Sequence, residues 1–276
     1  AQGAPKTFLR LVQLYRGCSF ADAVREVCGK DLTIESIYSR ISQKKETKVA
    51  DEKYDILLPP GSELLIDYEH TKLGRILMSW LATRGISRDV VRQRNLHFHS
   101  ASVVWPYYEF GDLVYWQERS RLNKTFLFPP ESIGVTKGMF LYGFDLVEPG
   151  GNIIITEAIF DSMTLGHQCV ATGGAIITEK QVQRIRALNP IDGVILAPDN
   201  DEAGVDSIVS NYKLLNPYFK LYYSIPPKIG INDNEFTKDW NDLGKVMAWS
   251  SIRKTFEDNI KPLTLANMAS MAIRRS

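Results

Sequence analysis

Between residues 151 and 224, short apolar runs recur at intervals, each followed by a polar turn and then by apolar positions at helical spacing. The run 153–156 leads to a helix expected at 160–166, and Cys169-Val170-Ala171 leads through Thr172-Gly173-Gly174 to one at 179–188. The run 194–197 leads to a helix at 203–215, and Lys220-Leu221-Tyr222-Tyr223-Ser224 supplies a further strand. Strands of this length alternating with helices predict a mainly parallel sheet covered by helices.

Upstream the period changes. Leu73, Ile76, Leu77, Trp80 and Leu81 share one helical face across 72–84, with Gly85 as the stop and Ser87 as N-cap of the next helix. From residue 96 the pattern is strand-like. Segments 103–108 and 112–119 are rich in aromatic and β-branched residues and meet at a turn, Phe110-Gly111. Earlier still, 8–28 reads as two short helices separated at Gly17. Residues 36–54 read as a polar linker, which Pro59-Pro60-Gly61 closes. A last helix is expected at 252–260, and the final ten residues are weakly specified.

Composition adds bounds. With 276 residues, 44% hydrophobic and 24% charged, the chain suits one large or two modest soluble domains. Its apolar runs are too short to span a bilayer, and Ala1 to Pro5 lacks the charged-then-apolar pattern of a secretory leader. A cytoplasmic protein with no membrane partner is expected. Cys18, Cys28 and Cys169, with His70, His97, His99 and His167, complete no zinc pattern, so a reducing compartment and no structural zinc are expected. His97 and His99 share one strand face and read as satisfied or solvent-facing.

Net charge is only +1, but residues 72 to 137 hold ten Lys or Arg against five Asp or Glu. Acidic residues then gather from Glu157 onward. A basic surface beside an acidic site suits a polyanionic substrate.

The acidic residues form three groups. Glu157-Ala158-Ile159-Phe160-Asp161 follows the first buried run, and Asp199-Asn200-Asp201-Glu202-Ala203-Gly204 follows the third. In a continuing strand Asp199 and Asp201 point to the same face, so the pair can clamp one or two hard cations, and Glu157 reaches the same crevice. The third group, Asp239-Trp240-Asn241-Asp242, follows Pro226-Pro227 and Lys238. Carboxylates brought together repel unless cations neutralise them, and magnesium suits such oxygen donors. Asp161 and Glu202 serve equally well as first-turn residues that complement helix dipoles.

In this order, Glu157, Asp161, Val170-Ala171-Thr172-Gly173 and the Asp199 motif resemble the Toprim domain of DnaG-type primases, type IA and type II topoisomerases, OLD-family nucleases and RecR-type repair proteins. Other segments select among these. Leu81-Ala82-Thr83-Arg84-Gly85-Ile86-Ser87 resembles a helix of the primase catalytic core. Glu118-Arg119, Asn123-Lys124-Thr125-Phe126-Leu127-Phe128-Pro129-Pro130 and Lys137-Gly138-Met139-Phe140-Leu141-Tyr142-Gly143 resemble its basic segment. Lys238-Asp239-Trp240-Asn241-Asp242 resembles its last acidic motif, and Ser19-Phe20-Ala21-Asp22-Ala23-Val24 the helix that follows a primase zinc ribbon. The resemblance runs from about residue 8 to about 245.

It implies an α/β fold: a Toprim-like central parallel sheet flanked by helices, preceded by a mixed α+β basic subdomain. The implied plan is a helical segment and linker at 1–55, the basic subdomain at 56–148, the Toprim domain at 149–246 and a helical extension at 247–276. The implied activity is that of a DNA primase core, which makes short RNA primers on a single-stranded DNA template by two-metal nucleotidyl transfer. Glu157, Asp199 and Asp201 would be catalytic, and Mg²⁺ or Mn²⁺ would be held by Glu157, Asp199, Asp201, Asp239 and Asp242. Arg119, Lys124, Lys137 and Lys238 would hold nucleotide and template, with Arg84 a weaker candidate. Trp116, Tyr115 and Phe126 stack bases or pack the core. Implied partners are the template, ribonucleoside triphosphates, a replicative helicase and a zinc-ribbon module supplied elsewhere, in a phage or mobile-element setting. Three departures stand out: Ala158 where the family has Gly, Gly174 where Thr is commoner, and Asn241 where a second Asp is usual. Ala158 and Asn241 keep a catalytically weak nucleic-acid-binding relative in view, beside a Toprim nuclease or topoisomerase fragment.

Overall fold

Strand pairing divides the described part of the chain into an antiparallel half and a parallel half. The computed structural model describes residues 54–123, 125–148 and 150–268, all within the unit Glu52–Ser276. The helices expected at 8–28, nearly all of the linker, most of the final ten residues, and Lys124 lie outside the described residues.

The first half contains β1 (Glu63–Leu64), α1 (Lys72–Ala82), α2 (Arg88–Gln93), β2 (His97–His99), β3 (Ser102–Glu109), β4 (Asp112–Ser120) and β5 (Phe126–Leu127). Thr71 and Ser87 cap the two helices, their hydroxyls accepting the N–H groups of Gly74 and Val90. The five strands pair antiparallel in sequence order. The β3–β4 turn places Phe110 and Gly111 at φ of +55° and +85°, the double left-handed geometry that matches strand twist. Asp145 steadies it by accepting the N–H groups of Phe110 and Gly111 at 2.7 and 2.8 Å.

The second half runs β6 (Asn152–Thr156), α3 (Ile159–Leu165), β7 (Cys169–Ala171), α4 (Glu179–Ala187), β8 (Gly193–Ala197), α5 (Glu202–Leu215) and β9 (Leu221–Tyr223). A hairpin of β10 (Gly230–Asn232) and β11 (Glu235–Phe236) follows, then α6 (Trp249–Asp258) and β12 (Lys261–Pro262). The sheet order is β12-β9-β8-β6-β7, parallel except for β12. Thr156 stands opposite both Ala171 and Ala197, so the carboxyl ends of β6, β7 and β8 are flush. The chain leaves β6 for β7 on one side and returns to β8 on the other. That reversal opens a crevice at the ends of β6 and β8, the usual ligand position in such sheets.

Alternation along β6 explains why helices cover both faces. Ile153 and Ile155 pack with Val182, Ile185 and Ile208 on one side, whereas Ile154 packs with Ile195, Trp240, Ile252 and Phe256 on the other. A third core lies under the antiparallel sheet and takes in Ile159, Phe160 and Met163 of α3. Phe160 joins the halves there, packing edge-on against Trp80 and Trp105 at 5.8 and 5.6 Å between ring centres. A buried ion pair, Arg184 to Glu109 at 2.6 Å, ties α4 to β3.

The expected strands and helices stand within a few residues of their predicted bounds. The hairpin, β12, β1 and β5 carried no readable pattern, because two- or three-residue strands are specified by their partners rather than by periodicity.

Candidate carboxylate crevice

Glu157 leaves the end of β6 and Asp199 lies two residues past β8. The expectation of a strand continuing through Asp201 does not hold. β8 stops at Ala197, and Asp201 is the N-cap of α5, its Oδ1 accepting the Gly204 N–H at 2.8 Å. One oxygen of that carboxylate is thus committed to the helix end, and the pair is aimed by a turn instead of a pleat. Gly204 allows the turn to close: a Cβ there would lie 2.2 Å from the Asp199 carbonyl oxygen. Asn200 ties the same loop down, donating from N to Lys238 O at 2.6 Å and from Nδ2 to Pro226 O at 2.8 Å.

That tie brings in the third acidic group. Asp239 Oδ1 accepts the Asp242 N–H at 2.6 Å, and Asp242 accepts the Lys238 N–H at 3.3 Å and faces Lys245 Nζ at 2.8 Å. Asn241 turns inward. Its N–H donates to Asp161 Oδ1, and its Nδ2 donates to Arg84 O and Thr164 Oγ1, all at 2.8 Å. Asp161 and Asn241 are therefore buried anchors that join α3 to the acidic loop.

The carboxylates perturb one another in one direction. Burial first, and then Asp239, Glu157, Asp201 and Asp242, push Asp199 up to about 7. Burial and Asp201 raise Glu157, against a lowering by Lys137. Burial raises Asp239, and burial with Asp239 and Asp199 holds Asp161 well above the ordinary range. Lys137, Arg84 and Lys245 offset these shifts only in part.

Cations and rings form the facing wall. The Arg119 guanidinium lies 5.3 Å from the Phe160 ring, 5.4 Å from Phe126 and 5.8 Å from Trp80, and its Nε is buried without a hydrogen-bond partner. Burial, then Arg84, lowers its pKa. Arg84 also stacks on Phe160, at 5.3 Å. A cavity of about 710 Å³ lies between these walls and is bounded by the β10–β11 hairpin, where Lys228 sits over Phe236. A neighbouring cavity of about 190 Å³ holds Glu157, Lys137, Phe126 and Phe128.

Of the residues singled out in the sequence, Asp201, Asp239, Asp242, Arg119 and Lys238 line the larger cavity, Glu157 and Lys137 the smaller, and Asp199 stands among the carboxylates that perturb it. Lys124 lies outside the described residues. Tyr115 and Trp116 pack in the core, the Trp116 Nε1 donating to Leu57 O at 2.9 Å, while Phe126 stays 40% exposed beside Arg119. Ala158 has a φ of −98°, so its methyl needs no strained backbone, and Gly174 has open space around it. His97 and His99 are satisfied by Asn95 O at 2.8 Å and Glu118 at 3.2 Å. No local pattern marks Lys228, Lys245 or the hairpin as a crevice wall, whereas Arg84, the weaker candidate, lines the larger cavity.

The donors are all hard oxygens. Among the described residues, no three His, Cys, Asp or Glu side chains close on one point as a cation cage. An open row of carboxylates fits a cation that keeps waters and takes further oxygens from its substrate.

Residues 154–243 match the family model described as Toprim-like. No curated protein sequence matches the chain significantly. The primase fragment of the bacteriophage T7 primase-helicase protein is similar in structure, with 20% identity, a TM-score of 0.51, and coverage of 64% of this chain and 72% of that one. The Aquifex aeolicus primase, comprising zinc-binding and RNA polymerase domains, has 16% identity, a TM-score of 0.55, and coverage of 92% and 70%. A T7 lagging-strand DNA polymerase structure with primase domains of two gp4 subunits, bound to an RNA/DNA hybrid and dTTP, gives 22%, 0.51, 66% and 91%. The chain carries a Toprim-like domain. The fold of the described residues is similar to that of these primase fragments. Among the described residues no helix is long and apolar enough to cross a membrane.

Proposed function

We propose that this chain is the catalytic core of a DNA primase, joining ribonucleotides into short primers on single-stranded DNA. The observation that carries this reading is the convergence of three separate acidic segments on one crevice faced by Arg84, Arg119 and Lys238. A site that holds both charges side by side matches the needs of nucleotidyl transfer, where polyphosphate must be neutralised and aligned.

In this reading Glu157, Asp199, Asp201, Asp239 and Asp242 hold Mg²⁺ or Mn²⁺, which when bound supplies Lewis-acid stabilisation of charge on the phosphate oxygens. Glu157, half-buried and with a raised proton affinity, either completes the metal site or orients the primer 3′-hydroxyl and accepts its proton. Arg119, Lys137 and Lys238, with Lys124, hold the triphosphate and the template backbone, and Arg84 joins them. Arg offers a planar fork to phosphate and Lys a point charge. Phe126 is the exposed ring on which a base stacks. The basic subdomain at 56–148 faces the template, the Toprim domain at 149–246 carries the chemistry, and 247–276 is an extension of it. A helicase and a zinc-ribbon module complete the replication partners, in the cytoplasm.

A second reading, a nucleic-acid-binding relative with weak catalysis, has one observation in its favour. Asn241 stands where a further acidic ligand is expected and commits its side chain to Arg84 and Thr164.

The test is incubation of single-stranded DNA with labelled ribonucleotides and Mg²⁺ or Mn²⁺, comparing the wild type with Asp199→Ala. Oligoribonucleotides that fall by at least about 100-fold in the variant are the expected result. Shortened DNA would assign a Toprim nuclease instead, and DNA binding with neither product would favour the second reading.

A further inference from the structure

Arg94, at the end of α2, is 7% exposed, and its Nε and Nη1 are buried with no hydrogen-bond partner. Its one described contact of note is with the Tyr142 ring, 5.4 Å from the guanidinium carbon. The chain makes room for it deliberately. Gly143, at φ +84°, occupies a position where a Cβ would stand 2.5 Å from Arg94 Nη1.

Arg94 lines a cavity of about 280 Å³ together with Gln93, Asn95, Tyr108, Tyr142 and Asp145. This cavity shares no wall residue with either crevice cavity. Asp145 also lines the cavity, each of its oxygens already accepting one of the N–H groups of Phe110 and Gly111. The other buried arginine among the described residues behaves differently: Arg184 has Glu109 at 2.6 Å. A buried cation without an anion costs stability, and that cost is relieved when a matching anion arrives. A planar fork of N–H donors matches phosphoryl oxygens. Amide side chains and a tyrosine ring around it, in a space near the small end of organic-ligand pockets, suit a phosphate carrying a small organic group.

We propose that the Arg94 cavity binds a phosphoryl dianion, free or as the monoester of a small organic molecule, at a site separate from the carboxylate crevice. It stands whether or not the crevice makes primers, and its test keeps the two apart by working in EDTA, without divalent cations.

The full chain is unfolded thermally at constant ionic strength while chloride is replaced by inorganic phosphate, and in a second arm by 5′-AMP. The wild-type unfolding temperature rises steadily with either ligand. Arg94→Met starts above the wild type in phosphate-free buffer and does not respond. Arg94→Lys, which keeps the charge but loses the fork, responds with affinity about tenfold weaker. A response to AMP at lower concentration than to phosphate identifies a monoester as the ligand, and equal responses identify free phosphate. No response in the wild type, or a response that Arg94→Met retains, overturns the proposal. If Arg94→Met fails to fold, an undiminished response in Arg94→Lys overturns it as well.

Discussion

On one wall of the crevice Asp201, Asp239 and Asp161 each accept a backbone N–H from a helix end or a neighbouring turn. On the other, Arg119 lies among Phe126, Phe160 and Trp80 with its Nε bonded to nothing. Backbone N–H groups at strand ends and caps are fixed by the fold itself, so the anions are held in place even though they repel. Ring faces hold a guanidinium by its π-surface and leave its N–H edge for another acceptor. The anionic wall is thus held by backbone contacts and the cationic wall by ring faces, a division that fits the proposed reading, in which metal ligands stay fixed and a phosphate backbone meets the cations.

Breaking the seam between the walls has the largest expected effect. Phe160 packs against Trp80 and Trp105 and seats both Arg84 and Arg119, so Phe160→Ala should lower the unfolding free energy by about 3–5 kcal/mol in urea titration. It should also uncouple the two charges of the crevice. Gly204→Ala tests the anionic wall alone. The new methyl meets the Asp199 carbonyl, and overpacking should cost about 1–3 kcal/mol. Because it moves Asp199, primer synthesis at a temperature where the variant is folded should fall further than the folded fraction does.

Arg119→Met tests the cationic wall. The stack survives while the charge goes, so stability should be kept, and the salt dependence of single-stranded DNA binding should lose about one unit of slope. The smallest effect belongs to Lys245, which is 43% exposed and bridges Asp242 and Glu235. Lys245→Ala should change stability by no more than about 1 kcal/mol. By freeing Asp242, it should lower the Mn²⁺ concentration at which the protein is thermally stabilised; an unchanged or raised concentration would remove Asp242 from the ligand set.

Much of the parallel half was legible because each buried strand is a short apolar run on its own. Residues 153–156, 169–171 and 194–197 announce themselves by burial on two faces. The positions of Glu157 and Asp199 were legible for the same reason, since they stand just after two of those runs. What failed was the geometry between Asp199 and Asp201. Residue alternation predicts a shared strand face, but the cap of α5 competes for the second carboxylate and wins, since the helix start offers it an unpaired N–H. The aromatic residues were ambiguous locally: nothing in sequence separates Trp116, which packs inside, from Phe126, which stays at the surface.

By itself the sequence determined the alternation of strands and helices, the order of the three acidic groups and the concentration of positive charge before them. These are properties of consecutive residues, set by periodicity and by what each strand end delivers. Tertiary structure alone decided that Asn241 bonds to Arg84 and Thr164, that Lys245 sits on Asp242, and that the Nε and Nη1 of Arg94 are buried without a partner while Arg184 has Glu109. Each depends on partners far apart in the chain, as with Arg84 and Asn241, 157 positions apart, and no local pattern encodes which distant charge will be brought close.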